Sequence, residues 1–135
     1  MKRIVTILIL LMSINIYADA ISDAYTEVEK GNDQKARDIF HKACQNKNAE
    51  GCINLGLMYK NGAGVEKDYL KTISLWEKAC EMNNADGCIR AAFMHSESKI
   101  IKIDKEKAKK LFKKACNLGD SLGCEMNEEL NNSTH

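Results

Sequence analysis

Cysteines at positions 44, 52, 80, 88, 116 and 124 are the residues whose spacing most directly implies chemistry. Partners stand eight positions apart, and the pairs recur every 36 residues. Paired cysteines serve structural disulfides, thiol exchange or zinc ligation. Redox pairs and structural zinc sites favour a gap of about two residues between partners. The wider gap points to structural disulfides joining Cys44 to Cys52, Cys80 to Cys88, and Cys116 to Cys124. Each closes a loop of about nine residues and contributes on the order of 2.5 kcal/mol in the chain-entropy account.

Other chemistry-bearing residues are sparser. Ser96-Glu97-Ser98-Lys99 matches a Ser-x-x-Lys pattern, in which serine acts as nucleophile at the start of a helix with lysine one turn on. Here the match falls where a helix ends, with no Ser-Asp-Asn or Lys-Thr-Gly following, and Lys71-Thr72-Ile73 fails at the glycine. No catalytic residue is assigned. His41, His95 and His135 form no ligand cluster in sequence, so no metal and no cofactor is expected. Trp76 could stack on a ligand, but Phe40 and Phe112 hold the same place 36 residues away, which makes it a core residue.

The elements that position these residues follow from the same period. Sliding by 36 superimposes Phe40, Trp76 and Phe112; Lys42, Lys78 and Lys114; Ala43, Ala79 and Ala115; and Gly51, Gly87 and Gly123. Apolar spacings of 3, 4, 7 and 8 in Ala36, Ile39, Phe40, Ala43 and Cys44 define one helix face, and recur from Thr72 to Cys80 and from Ala108 to Cys116. Asp33, Asp68 and Asp104 stand upstream as expected N-caps. A second helix follows each cysteine-bearing turn, over about Ala49 to Lys60, Ala85 to Ser96 and Ser121 to Leu130. The chain has no proline to interrupt them, and Asn61 to Val65 supplies turn glycines. Each cysteine pair then bridges two antiparallel helices across a short turn, within disulfide reach. A lone hairpin cannot bury its apolar face, whereas stacked hairpins share a continuous core. The expected fold is all-α, a short α/α solenoid of about seven helices, each hairpin stapled by a disulfide. Its third unit is expected to lack a complete partner helix and to act as a cap.

Lys2 and Arg3, an apolar run from Ile4 to Ile16, then Tyr17-Ala18-Asp19-Ala20 read as a secretory signal over residues 1–20, with cleavage after Ala18 or Ala20. The apolar run is too short to span a bilayer comfortably, so a secreted or periplasmic protein without a membrane anchor is expected. Removing Lys2, Arg3 and Asp19 turns 20 basic and 19 acidic residues into 18 of each. Opposite charges are interspersed with no basic stripe, which argues against nucleic acid. The lysine-rich run from Lys102 to Lys114 is interrupted by Asp104 and Glu106 and reads as a solvated helix face.

The run from Asn54 to Asp68, Asn-Leu-Gly-Leu-Met-Tyr-Lys-Asn-Gly-Ala-Gly-Val-Glu-Lys-Asp, followed by Trp76-Glu77-Lys78-Ala79-Cys80, resembles a Sel1-like repeat, a family related to tetratricopeptide folds. With its paired cysteines the chain looks like the Helicobacter cysteine-rich protein family over residues 21–130, in units of about 33–68, 69–104 and 105–130, leaving 131–135 as a tail. The second unit departs from the pattern: Gly56, Tyr59, Gly62 and Gly64 give way to Ala92, His95, Ser98 and Ile100, so the turn from Ser98 to Ile103 should differ in shape. The resemblance implies penicillin binding and weak β-lactamase activity, so β-lactam binding or hydrolysis is one expectation.

The other expectation is a module binding a protein, peptide or cell-wall fragment. Positions that vary between units while the packing residues stay fixed are Asn54, Arg90 and Met126, and likewise Leu57, Phe93 and Glu129. Arg90 is the leading candidate because a guanidinium grips a carboxylate with two bonds. Leu57 and Phe93 can also be read as core, and His95 as a partly buried histidine in a tyrosine position.

Overall fold

A computed structural model describes residues 1–97 and 99–133, apart from the side chains of 10–18. Ser98, Thr134 and His135 lie outside the described residues, as do the side chains from Leu10 to Ala18. The described residues form seven helices and no strand: α1 (Lys2–Glu29), α2 (Asp33–Gln45), α3 (Ala49–Asn61), α4 (Tyr69–Glu81), α5 (Ala85–Glu97), α6 (Lys105–Asn117) and α7 (Ser121–Asn132). Each helix packs chiefly on its neighbours in sequence. This is the contact pattern of a solenoid, in which each repeat touches only the next.

The 36-residue register is the packing register. Phe40, Trp76 and Phe112 are 2%, 2% and 0% exposed, and Ala43, Ala79 and Ala115 are buried beside them. Gly51, Gly87 and Gly123 explain why small residues precede the cysteines. A Cβ on each would stand 2.7 Å from the Cβ of Ala43, Ala79 or Ala115 respectively. Only a glycine facing an alanine lets the two backbones come this close, and the paired cysteines beside them then have Cα atoms 4.5 Å apart. The three local disulfides join Cys44 to Cys52, Cys80 to Cys88 and Cys116 to Cys124.

Helix starts follow the expected chemistry with one correction. Asp68 and Asp104 accept hydrogen bonds from the backbone amides of Lys71 and Lys107, each at 2.9 Å. Asp33 does not cap α2, because it is already the first helical residue and Asn32 takes the cap position. Asn32 is the residue in register with Asp68 and Asp104; its side-chain amide donates instead to Glu27 at 2.9 Å. A second correction concerns the third unit: α7 is a full helix of 12 residues, and Asp120 caps it by accepting from Gly123 N.

The two inter-hairpin turns differ in sequence but close alike. Gly62 ends α3 in the left-handed conformation (φ 72°), and Asp68 N then donates to Tyr59 O at 3.0 Å. The second turn lacks the glycines, yet Asp104 N donates to His95 O at 2.8 Å in the same register. That shared bond sets where α4 and α6 begin.

Candidate functional site

The sequence candidates sit on the odd-numbered helices: Asn54 and Leu57 on α3, Arg90 and Phe93 on α5, Met126 and Glu129 on α7. Their environments differ. The Asn54 amide donates to the Tyr25 hydroxyl oxygen at 2.9 Å and to Glu50 O at 3.0 Å, while Tyr25 donates to the Glu50 carboxylate at 3.1 Å. Asn54 thus ties α1 to α3. Burial pushes the Tyr25 hydroxyl above its ordinary value, and Glu50 adds to that rise while the Asn54 bond opposes it.

Arg90 is half-exposed. Its Nε donates to both carboxylate oxygens of Asp86, at 3.0 and 2.9 Å, and its guanidinium lies 5.7 Å from the centre of the Trp76 ring. This spacing allows a cation–π contact. A guanidinium anchored through Nε still has its two terminal nitrogens to offer. Trp76 itself is core, and its indole Nε1 donates to Ile53 O at 3.1 Å.

Phe93 and Met126 are partly buried against the core around Ala92 and Phe112, and Phe93 stacks edge-on to Phe112 with centroids 5.1 Å apart. Leu57 is 36% exposed, so it is a surface residue rather than core. Tyr25, Leu57 and Arg90 therefore present side chains outward, while Phe93 holds the repeats together.

The serine pattern is not assembled as a nucleophile. Ser96 stands in the last turn of α5 and donates to Phe93 O at 3.3 Å, and Lys99 lies in the exposed turn beyond the helix. Among the described residues no group of three or more His, Cys, Asp or Glu side chains gathers as a metal site.

One cluster escaped the sequence reading. His95 is buried, and its Nε2 is 2.6 Å from the carboxylate of Glu77 on α4, which also accepts from Lys107 Nζ on α6 at 2.7 Å. Burial works to raise the Glu77 carboxyl, but the bonds from Lys107 and His95 outweigh it and leave it below its ordinary value. His95 Nδ1 is buried with no partner. The cluster bolts three helices across a repeat junction. At the preceding junction Lys71, in register with Lys107, lies 4.5 Å from the ring centre of Tyr59, in register with His95. The available signal was a paired change: where Tyr59 becomes His95, His41 becomes Glu77.

The Sel1 repeat model matches residues 25–48, 49–84 and 85–120. Its units begin on α1, α3 and α5, half a hairpin out of phase with units counted from residues 33, 69 and 105. Over 40 residues the chain is 45% identical to proteins named "Putative beta-lactamase HcpE" in two Helicobacter pylori strains, a match covering 30% of this chain and 11% of theirs. The chain thus spans about a tenth of the length of these curated relatives. Among solved structures, Helicobacter pylori cysteine rich protein B aligns with TM-score 0.70 and 31% identity, covering 87% of this chain and 93% of that one. A Sel1 repeat protein from Oxalobacter formigenes aligns with TM-score 0.70 and 26% identity, over 82% of this chain and 47% of that one. The fold alone is shared with c5321, a protective antigen of uropathogenic Escherichia coli, at TM-score 0.71 and 21% identity, over 84% of this chain and 25% of that one.

Proposed function

This chain belongs to the Sel1 repeat family, and from that membership we propose that it works outside the cytoplasm as a binding module for a protein, peptide or cell-wall fragment. The observation that carries the reading is the contrast along the odd helices. The packing positions repeat every 36 residues, whereas the row at Asn54, Arg90 and Met126 changes chemistry from unit to unit, with Arg90 half-exposed and Met126 partly packed on the core. A repeat scaffold with fixed packing and a variable face is built for recognition. Arg90, held by Asp86 through Nε, is its leading contact for a carboxylate, and Tyr25 and Leu57 add amphipathic surface.

The test is capture by immobilised oxidised protein from extracytoplasmic fractions, with an Arg90→Ala, Leu57→Ala variant in parallel. A partner bound by the wild type and lost from the variant is the expected result. If every captured partner stays on the variant, the face is elsewhere.

Residues 1–20 act in this reading as a leader removed after Ala18 or Ala20, releasing a periplasmic or secreted product. Three disulfides support it, since structural disulfides persist in oxidising compartments. Ile4, Val5, Ile7, Leu8 and Ile9 are exposed on the first part of α1 and add nothing to the array's core. No helix among the described residues is long and apolar enough to cross a membrane.

β-Lactam binding or hydrolysis rests on the name of HcpE over a 40-residue match. Oxidised protein mixed with a chromogenic cephalosporin should show no turnover. Turnover that survives Ser96→Ala but disappears on reduction would favour an unorthodox lactamase instead.

A further inference from the structure

A groove opens between the even helix and the odd helix after it in the first and third repeats, at positions in 36-residue register. In the first it is lined by Arg37, Asp38, His41, Leu55 and Tyr59. The positions 36 residues on are Ile73, Ser74, Glu77, Ala91 and His95. At both sets of positions the next even helix packs alongside. Leu75 of α4 joins the core cluster of Leu55, and Lys71 reaches the Tyr59 ring. Leu111 of α6 joins the cluster of Ala91, and Lys107 pairs with Glu77.

The groove of the third repeat, about 300 Å³, lies between α6 and α7 and is lined by Glu106, Lys109, Lys110, Lys113, Asn127 and Asn131. No helix among the described residues packs over it. Its chemistry has been inverted. Where Leu55 and Ala91 bury apolar surface, Asn127 stands with its Oδ1 buried and without a hydrogen-bond partner. Lys109 and Lys113 replace Ile73 and Glu77, and neither they nor Lys110 joins an ion pair. Glu106 alone offsets the three cations at the rim.

From this geometry we infer that the α6–α7 groove binds an acidic polypeptide segment. Three unpaired lysines call for carboxylates, and a buried amide oxygen calls for an N–H donor. Peptide backbone supplies that donor next to the carboxylates, whereas phosphate and sulfate groups themselves offer only acceptors. The groove also lies at the register position beside which a helix packs in the two preceding repeats. This surface is separate from the Arg90 face, so the two readings fail independently.

The probe is a fluorescein-labelled decaglutamate peptide, titrated by polarisation into the oxidised chain at low salt. Saturable binding is expected. It should weaken roughly tenfold or more in Lys109→Glu, Lys113→Glu and change about twofold at most in Lys42→Glu, Lys78→Glu, which carries the same charge change at exposed positions off the groove. Asn127→Leu, restoring the residue type of the first repeat, should weaken it severalfold with an unchanged circular dichroism spectrum. Absence of saturable binding, equal loss in both lysine doubles, or equally tight binding of a ten-residue oligothymidylate would overturn the assignment.

Discussion

A Cβ on Gly56 would sit 2.6 Å from Nε1 of Trp76, closer than any real side chain tolerates. The two positions are matched in size around the array. Ala92 stands 36 residues after Gly56 and Phe112 the same distance after Trp76, while Ala20 and Phe40 hold the preceding places. Where the aromatic is phenylalanine the small residue is alanine; where it is the larger tryptophan, glycine. The departure from the repeat pattern at Ala92 is therefore compensated packing.

Gly56→Ala should destabilise the protein by about 1–3 kcal/mol through overpacking. Trp76→Phe alone should also destabilise, since it loses the bond to Ile53 O and leaves space. Together they recreate the Ala and Phe pair of the next repeat. Denaturant unfolding of the oxidised variants should show the double losing at least about 1 kcal/mol less than the sum of the singles. Strict additivity would contradict the pairing.

The central staple is the most informative to remove. Cys80→Ala, Cys88→Ala should cost about 2.5 kcal/mol, lowering the denaturant midpoint. Gly87→Ala should destabilise even with the disulfide intact, because its Cβ would meet Ala79 Cβ at 2.7 Å and Cys80 N at 2.9 Å. A Gly87→Ala protein as stable as wild type would sink the explanation given for the repeated glycine.

Glu27 supplies a pH dependence with a defined sign. Asn32 first, then Lys35 and Lys30, donate to its carboxylate and hold it down to about 2, against the pull of burial. A carboxylate depressed in the folded state stabilises fully above its unfolded value, about 4.3. That contribution disappears as the pH falls towards 2. Unfolding midpoints for wild type and Glu27→Gln, followed from pH 6 to 2, should converge towards the acid end. A constant gap across the range would remove Glu27 from the account.

The junction of Glu77, His95 and Lys107 should behave as a unit. Lys107 is the most exposed of the three, so Lys107→Ala should cost less than about 1 kcal/mol. Glu77→Ala strands the buried His95 and should cost about 1–3 kcal/mol. Because the Glu77 carboxyl is lowered in the folded state, its contribution is present above the ordinary carboxylate range and is lost as the pH falls through that lowered value. Thermal unfolding of both variants at neutral and acid pH checks the order and the sign.

The period exposed what repeats and hid what does not. Cys44 to Cys124, Phe40, Trp76 and Phe112 were legible because identical packing demands identical residues at a fixed interval. The cap of α2 is hidden because Asn32 and Asp33 stand side by side and cap about equally well; only the register with Asp68 and Asp104 picks out Asn32. The bond from Asn54 to Tyr25 and the meeting of Glu77, His95 and Lys107 depend on helices from different hairpins, and no local spacing encodes them. Arg90 was legible as a surface residue; its partner Asp86, four residues earlier on the same helix face, could also have been read from spacing.

The three disulfides and the proposed export can be read together from one sample. Protein isolated from its native cells without reductant, alkylated at once and mapped by mass spectrometry before and after reduction, reports thiols, pairings and N-terminus together. The expected result is no alkylated cysteine, peptides linking Cys44 to Cys52, Cys80 to Cys88 and Cys116 to Cys124, and a first residue just after Ala18 or Ala20. Six alkylated cysteines on a chain that still begins at Met1 would contradict it.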